Sequence, residues 1–222
     1  VRVDFFQQNK VSKRSQANMP SQSSSSRRWL REHVTDPYVK EAKREGYRSR
    51  AVYKLKEINE RDKLFKPGMT IIDLGAAPGS WSELVVKLVG KKGRVIALDV
   101  LPMEPIAGVE FIQGDFSEEA LEQELLQRIG DAKVDWVISD MAPNFSGMNS
   151  VDIPRMIALA ELALHFSLSV LNTHGGFLVK TFYGEGFDAF LLEVRRHFKK
   201  VATRKPKASR GRSNEVYILA MN

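Results

Sequence analysis

Nine residues, Asp73-Leu74-Gly75-Ala76-Ala77-Pro78-Gly79-Ser80-Trp81, constrain the fold more than any other part of this chain. They follow the apolar run Met69-Thr70-Ile71-Ile72 and precede an amphipathic stretch from Ser80 to Gly90. An apolar run, a glycine turn and a helical period make a strand–turn–helix unit, in which main chain can approach a ligand at a helix N-terminus. The glycines do not follow the dinucleotide spacing G-x-G-x-x-G, and the Lys-Ser/Thr of a phosphate loop is missing. Asp73, near the strand end, would repel a pyrophosphate and could attract a cationic ligand.

The alternation of strand and helix continues downstream. Strands are expected over 70–74, 94–99, 109–112, 134–139 and 177–181, and helices over about 80–89, 118–129, 153–172 and 186–198. Such alternation predicts a parallel sheet with helices on both faces. The end differs, because 201–204 and 215–220 are joined by a basic loop with no helix, which suits an antiparallel hairpin. Upstream, Asp36-Pro37 reads as an N-cap and first helical residue, with Gly46 as the stop. Ser49 could cap a second helix to about residue 62, since Ala51, Val52, Leu55 and Ile58 recur at helical spacing. Residues 1–28 are polar, basic and serine-rich without periodicity and are expected to be disordered, leaving 29–222 as a single domain. Val1 and Met19 are both candidate translation starts.

The chain carries a net charge of +7 and no cysteine, so disulfides and thiolate metal sites are excluded and a cytoplasmic setting is expected. No signal peptide is visible, and no uninterrupted apolar run approaches the roughly 20 residues that span a bilayer, so no membrane partner is expected. His33, His165, His174 and His197 lack metal-ligand spacing, and no metal is expected. Residues 1–50 hold 12 Lys/Arg against 5 Asp/Glu, while residues 51–222 hold 22 of each, so the whole excess lies near the N-terminus. A second basic run comprises Arg195, Arg196, Lys199, Lys200, Arg204, Lys205, Lys207, Arg210 and Arg212. Segregated positive charge of this kind is the electrostatic footprint of nucleic-acid binding.

Ligands of such sheets bind beyond the carboxyl ends of the strands, which draws attention to polar residues there. Asp99 closes the second strand, where a carboxylate would accept both hydroxyls of a ribose. Asp115 follows the third, where it could accept an adenine amine beside Phe116, or could instead cap the next helix. Asp140, in Ser139-Asp140-Met141-Ala142-Pro143-Asn144, ends an apolar strand, where an unpaired carboxylate is costly. Lys180 interrupts the apolar strand around 177–181 and would lie beside Asp140 if the two strands are neighbours. Lys54 borders the apolar stripe of its helix, and Glu215 opens the last strand.

Together Lys54, Asp140, Lys180 and Glu215 resemble the Lys-Asp-Lys-Glu tetrad of the FtsJ-type RNA 2′-O-ribose methyltransferases. Ser49-Arg50-Ala51, the Gly75-to-Trp81 turn, Ser139 to Asn144, Asp152-Ile153-Pro154-Arg155 and Gly184 to Asp188 belong to the same resemblance, which covers about residues 25–221. Within the family the chain is most similar to the bacterial enzymes that methylate a uridine of 23S ribosomal RNA. The resemblance implies a Rossmann-like class I methyltransferase fold, with a mostly parallel seven-stranded sheet and an antiparallel last strand. It implies S-adenosylmethionine as cofactor, contacted at Gly79, Trp81, Asp99, Asp115 and Asp140, and Lys180 as the principal catalytic lysine. It also implies a monomer acting on ribosomal RNA in the assembled large subunit. Lys54 would depress the Lys180 pKa by like-charge repulsion, while Asp140 and Glu215 would oppose that shift. Ser80 stands where the family often has glycine. The competing readings are 2′-O-methylation of transfer RNA and a non-catalytic RNA-binding assembly factor.

Overall fold

Strands that are apolar on both sides are stable only where both faces of the sheet are covered. The computed structural model describes residues 35–131, 133–211 and 213–222. The tail expected over 1–28 and Arg212 therefore lie outside the described residues. The strands are β1 (Thr70–Leu74), β2 (Arg94–Asp99), β3 (Val109–Gln113), β4 (Val134–Ser139), β5 (Leu171–Phe182), β6 (Lys200–Arg204) and β7 (Glu215–Met221). The helices are α1 (Pro37–Glu45), α2 (Val52–Asp62), α3 (Ser80–Val89), α4 (Glu119–Ile129), α5 (Asn149–Val170) and α6 (Phe187–His197).

One seven-stranded sheet has the order β3-β2-β1-β4-β5-β7-β6. Pairings from β3 to β5 are parallel, and β7 runs antiparallel to both β5 and β6. This is the expected Rossmann-like α/β fold. Side chains alternate between two apolar layers, as the strand period requires. Ile71, Val95, Trp136, Ile138, Leu178 and Tyr217 join residues of α1, α2 and α3 in one layer. Ile72, Ile96, Val137, Phe177, Val179 and Ile218 join α4, α5 and α6 in the other. The chain moves outward from β1 to β2 and β3, then returns to lay β4 on the other side of β1. The strand order thus reverses at β1 and β4, and a crevice opens at their carboxyl ends.

Two elements depart from the sequence reading. β5 begins at Leu171, earlier than the expected 177, through a segment whose Asn172 and Gly175-Gly176 look like a turn. Asn172 Nδ2 donates to Asp135 Oδ1 at 2.7 Å, and the glycine at 176 makes room for the Trp136 ring. α5, at 22 residues, is the one helix among the described residues long and apolar enough by length and composition to cross a membrane. It packs on β5 and β4, and half of its most apolar window is buried inside the fold.

A β-carbon at position 176 would sit 2.4–2.6 Å from three carbons of the Trp136 ring. Phe65 packs edge-on against that ring at 5.9 Å, restricting its escape. Gly176→Ala should therefore lower stability by about 1–3 kcal/mol, the usual cost of overpacking. Urea unfolding should show this as a lower midpoint at unchanged slope.

Candidate functional site

The turn after β1 is held by main-chain hydrogen bonds and by one carboxylate. Gly75 N–H donates to the Leu98 carbonyl at 2.8 Å and Gly79 N–H to that of Ala76 at 2.6 Å. Asp99 Oδ2 accepts from Ala77 N–H at 2.9 Å, and its Oδ1 from Leu101 N–H at 2.8 Å. Asp99 thus shapes the turn itself, and each oxygen keeps a further lone pair for a ligand. Gly75 has φ +76°, and a β-carbon there would lie 2.7 Å from the Met141 main-chain nitrogen. Only glycine lets this turn meet the segment that follows β4. The exposed Arg48 closes the other side, donating to the carbonyls of Pro78 (3.1 Å), Glu104 (2.7 Å) and Pro105 (2.9 Å).

Four charged side chains meet beside this turn. Lys180 Nζ lies 3.1 Å from Asp140 Oδ1 and donates to the Asp140 main-chain carbonyl at 2.5 Å. Lys54 Nζ donates to Glu215 Oε2 at 2.7 Å. All four side chains are only 8–16% exposed. The pairing is geometric necessity: Lys180 is opposite Tyr217 and Phe182 opposite Glu215 in the β5–β7 ladder, so these four share one sheet face. α2 lies over that face and delivers Lys54. Glu215 therefore holds Lys54 rather than Lys180, and its Oε1 accepts from Ser209 Oγ at 2.7 Å. Burial would raise the Asp140 pKa, but Lys180, then Lys54, and the Tyr217 hydroxyl outweigh it and hold the carboxyl below its ordinary value.

Tyr217 is the functional neighbour that the sequence reading missed. Its fully buried hydroxyl donates to Asp140 Oδ1 at 2.8 Å. Burial, then Asp140 and Glu215, push its pKa well above the usual phenol value, so it stays a donor. Lys54 Nζ sits 5.8 Å from the centre of its ring. The signal was available in the two-residue period of β7, which places Glu215 and Tyr217 on one side.

A cavity of about 370 Å³ opens at this cluster. Its lining includes Lys54, Lys180 and Glu215, the Ser49-Arg50-Ala51 turn, Arg210 and Ser213, and the rings of Phe145 and Phe182. Ser80 is buried with its hydroxyl 2.7 Å from Ser49 Oγ, so the residue that departs from the resemblance braces this turn. Phe145 rides on a loop fixed by Asp152, whose carboxylate accepts from Ser146 N–H (2.8 Å), Ser146 Oγ (2.9 Å) and Gly147 N–H (3.0 Å).

The other expected site residues are placed as follows. Asp115 is exposed and accepts from Ser117 N–H and Oγ at 2.9 and 2.7 Å, a local cap that holds its pKa low. Phe116 corrects the sequence reading, for it turns away from any base site and packs edge-on against Phe166 in the core. Trp81 is also buried, with its indole N–H donating to the Ala51 carbonyl at 2.8 Å. Its side chain braces the start of α2, so a ligand could meet this position only through main chain. Gly79 has φ +103°, and a β-carbon there would strike Met103 and Ile106. Asp73 is no cation contact; it is fully buried, accepting from Ser82 Oγ at 2.6 Å.

The basic clusters are less uniform than their sequence suggests. Arg48 is committed to carbonyls, and Arg50 donates to the Ala208 carbonyl. Arg204 grips Asp62 through two hydrogen bonds of 2.8 and 2.7 Å, and Arg196 pairs with Glu193. Among the described residues, Lys199, Lys207 and Arg210 form no ion pair, so their charge remains available. Arg212 lies outside the described residues.

The donor set suits S-adenosylmethionine. Asp99 ends β2 while Asp115 and Asp140 follow β3 and β4, so the three span three strand spacings, roughly 14 Å at about 4.8 Å each. That is the span of a nucleoside bearing an amino-acid arm, and the carboxylates offer acceptors for an amine, a diol and a cationic group. A family model for FtsJ-like methyltransferases matches residues 47–222. Among solved structures, the chain is similar to a Plasmodium falciparum protein described as a candidate ribosomal RNA methyltransferase. The two are 30% identical with a TM-score of 0.72, over 79% of this chain and 98% of that one. A Clostridium thermocellum protein described as a candidate rRNA methylase shares the fold, at 20% identity and a TM-score of 0.52, over 76% of this chain and 96% of that one.

Asp73 gives this site a pH signature. Burial pushes its pKa up to about 7 against the Ser82 hydrogen bond, with Asp140 and Asp99 adding to the rise. The folded chain keeps this proton to about pH 7, whereas the unfolded chain releases it near the ordinary carboxylate value. Its stabilising effect is complete below that ordinary value and is lost as pH rises through about 7. Asp73→Asn keeps an acceptor for Ser82 and removes the ionisation. The stability of the variant relative to the parent should therefore climb by up to about 1.4 kcal/mol per pH unit from about pH 4 to 7, then level off. Chemical denaturation across this range checks it, and a flat difference would refute it.

Proposed function

The chain belongs to the FtsJ-like methyltransferase family, and from that premise we propose that it methylates the ribose 2′-hydroxyl of a uridine in 23S ribosomal RNA, preferring the assembled large subunit. The observation that carries the reading is one cavity lined by Lys180, Lys54, Glu215 and further cations, with Lys180 ion-paired to Asp140. The similarity to the Plasmodium falciparum protein supports ribosomal RNA as the substrate class.

S-adenosylmethionine, held at Asp99, Asp115, Asp140 and the main chain of the glycine turn, would supply an electrophilic methyl group. A ribose hydroxyl is a weak nucleophile, so the protein must orient it and take its proton as the new bond forms. A lysine ammonium has three donors. Two of those on Lys180 are directed at Asp140, which leaves one for the ribose oxygen. In its amine form the same nitrogen is the acceptor for the departing proton. Lys54 and Glu215 neutralise each other beside it, so the second lysine adds a donor to the cavity without a bare buried charge. Lys180, then Lys54, keep Asp140 ionised, and Tyr217 adds to this by donating to its carboxylate. Arg210 and Lys207 are the groups we assign to RNA phosphates, contacts that position a strand without reading its sequence. Choice of target then falls to RNA shape, which an unpaired nucleotide in an assembled subunit offers better than a free duplex.

Lys180→Ala should reduce methyl transfer by about 10²–10⁴-fold, the range of general acid–base contributions, while cofactor affinity stays nearly unchanged. Labelled S-adenosylmethionine with unmethylated large subunits, and calorimetry for cofactor binding, measure the two. Normal turnover in the variant would remove Lys180 from the chemistry. A methyl group mapped to a base atom, or found only on transfer RNA, would overturn the assignment of substrate. Arg210→Glu should raise the Michaelis constant for subunits more than it lowers turnover, and an unchanged constant would take Arg210 out of the RNA path.

A further inference from the structure

We propose that Phe145 is the platform on which the base of the acceptor nucleotide stacks. The inference rests on the reading that the cavity receives a ribose 2′-hydroxyl. The covalent geometry of a nucleotide then leaves little choice: the base is bonded to C1′, and C1′ is bonded to the carbon that carries the reacting oxygen. With that oxygen at Lys180 Nζ, the base must lie in or at the mouth of the same cavity. The aromatic rings lining it are Phe145 and Phe182.

Phe145 has the features of a stacking surface. It is 56% exposed, an unfavourable placement for a large apolar ring unless something covers it. Its ring stacks on Phe182 at 5.8 Å and 11°, so one face is backed and the ring is held flat. The loop that carries it is pinned by three hydrogen bonds to the buried Asp152, which limits the ordering needed when a ligand arrives. Phe182 is itself fixed in β5, two residues from Lys180 on the same sheet face, so platform and reacting lysine are built on one rigid strand. Arg210, on the same lining, is placed for a phosphate, which completes base, ribose and phosphate in one cavity.

Stacking on a phenylalanine is tolerant of base identity, because every base has a π-face. Phe145 therefore selects a nucleotide that has left its helix, rather than uridine as such. It would contribute to affinity for the displaced nucleotide and not to cofactor binding.

The test uses the full chain, labelled S-adenosylmethionine and large ribosomal subunits lacking the modification. Phe145→Ala should raise the Michaelis constant for subunits by about 5- to 160-fold, the range of one base–aromatic stack, with the cofactor dissociation constant unchanged. Phe145→Tyr restores the ring and should recover most of that loss. Phe145→Leu keeps apolar bulk without a π-face and should not. An unchanged constant in the alanine variant, or leucine performing as well as tyrosine, overturns the platform. An alanine variant that loses cofactor affinity as well overturns the platform too, since the platform touches the nucleotide alone. A parent protein that methylates no RNA overturns the proposed function and the platform together, whereas an active parent with an indifferent Phe145→Ala overturns the platform alone.

Discussion

The Asp140 carboxylate receives the Lys180 ammonium and the Tyr217 hydroxyl at the point where β4, β5 and β7 present their site-facing ends, and the remaining geometry of the site is arranged around it. Burying this many charges is unfavourable unless each has a partner. The chain meets that requirement with two alternating pairs, Lys180 with Asp140 and Lys54 with Glu215, so these four residues together carry no net charge. Removing either lysine leaves a buried carboxylate that keeps other partners, Asp140 the Tyr217 hydroxyl and Glu215 that of Ser209. Antiparallel β7, inserted between β5 and β6, is what makes this possible, since it alone brings Glu215 and Tyr217 alongside Lys180.

Around that cluster the loops are held by short, directional contacts to main chain in addition to apolar packing. Asp99 grips the turn after β1, Arg48 ties that turn to the loop after β2, and Asp152 fixes the loop after β4. Trp81 and Ser80 anchor the start of α2, which carries Lys54. Loops at the carboxyl ends of strands can thus line a site without rearranging, because each hydrogen bond sets a main-chain position instead of merely covering surface. Several residues that would pass for surface charges serve this framework: Arg48 and Arg50 bind carbonyls, and Arg204 binds Asp62.

Much of the architecture was legible in advance. β1, β2 and β4 are apolar runs bounded by glycine or an acid, and their limits match the expected 70–74, 94–99 and 134–139. The extension of β5 back to Leu171 was hidden, because Gly175-Gly176 reads as a turn until Trp136 is seen to need the space. Phe116 illustrates another limit: an aromatic beside a candidate ligand residue is ambiguous in one dimension, and its core neighbour Phe166 is 50 residues away in the chain.

The sequence by itself determined the α/β alternation, the glycine turn and the polar strand ends, because these are local patterns of polarity and period, while the four residues of the tetrad were joined only by their resemblance to a family motif. Tertiary structure alone decided how the tetrad pairs, with Glu215 on Lys54 and Tyr217 beneath Asp140, since strand order and register put them together across gaps of up to 161 residues. It also decided which cations are committed to carbonyls and which stay available, and it set Phe145 against Phe182 at the mouth of the cavity. Those outcomes depend on distances between segments remote in the chain, and a one-dimensional pattern of residue types carries no such distances.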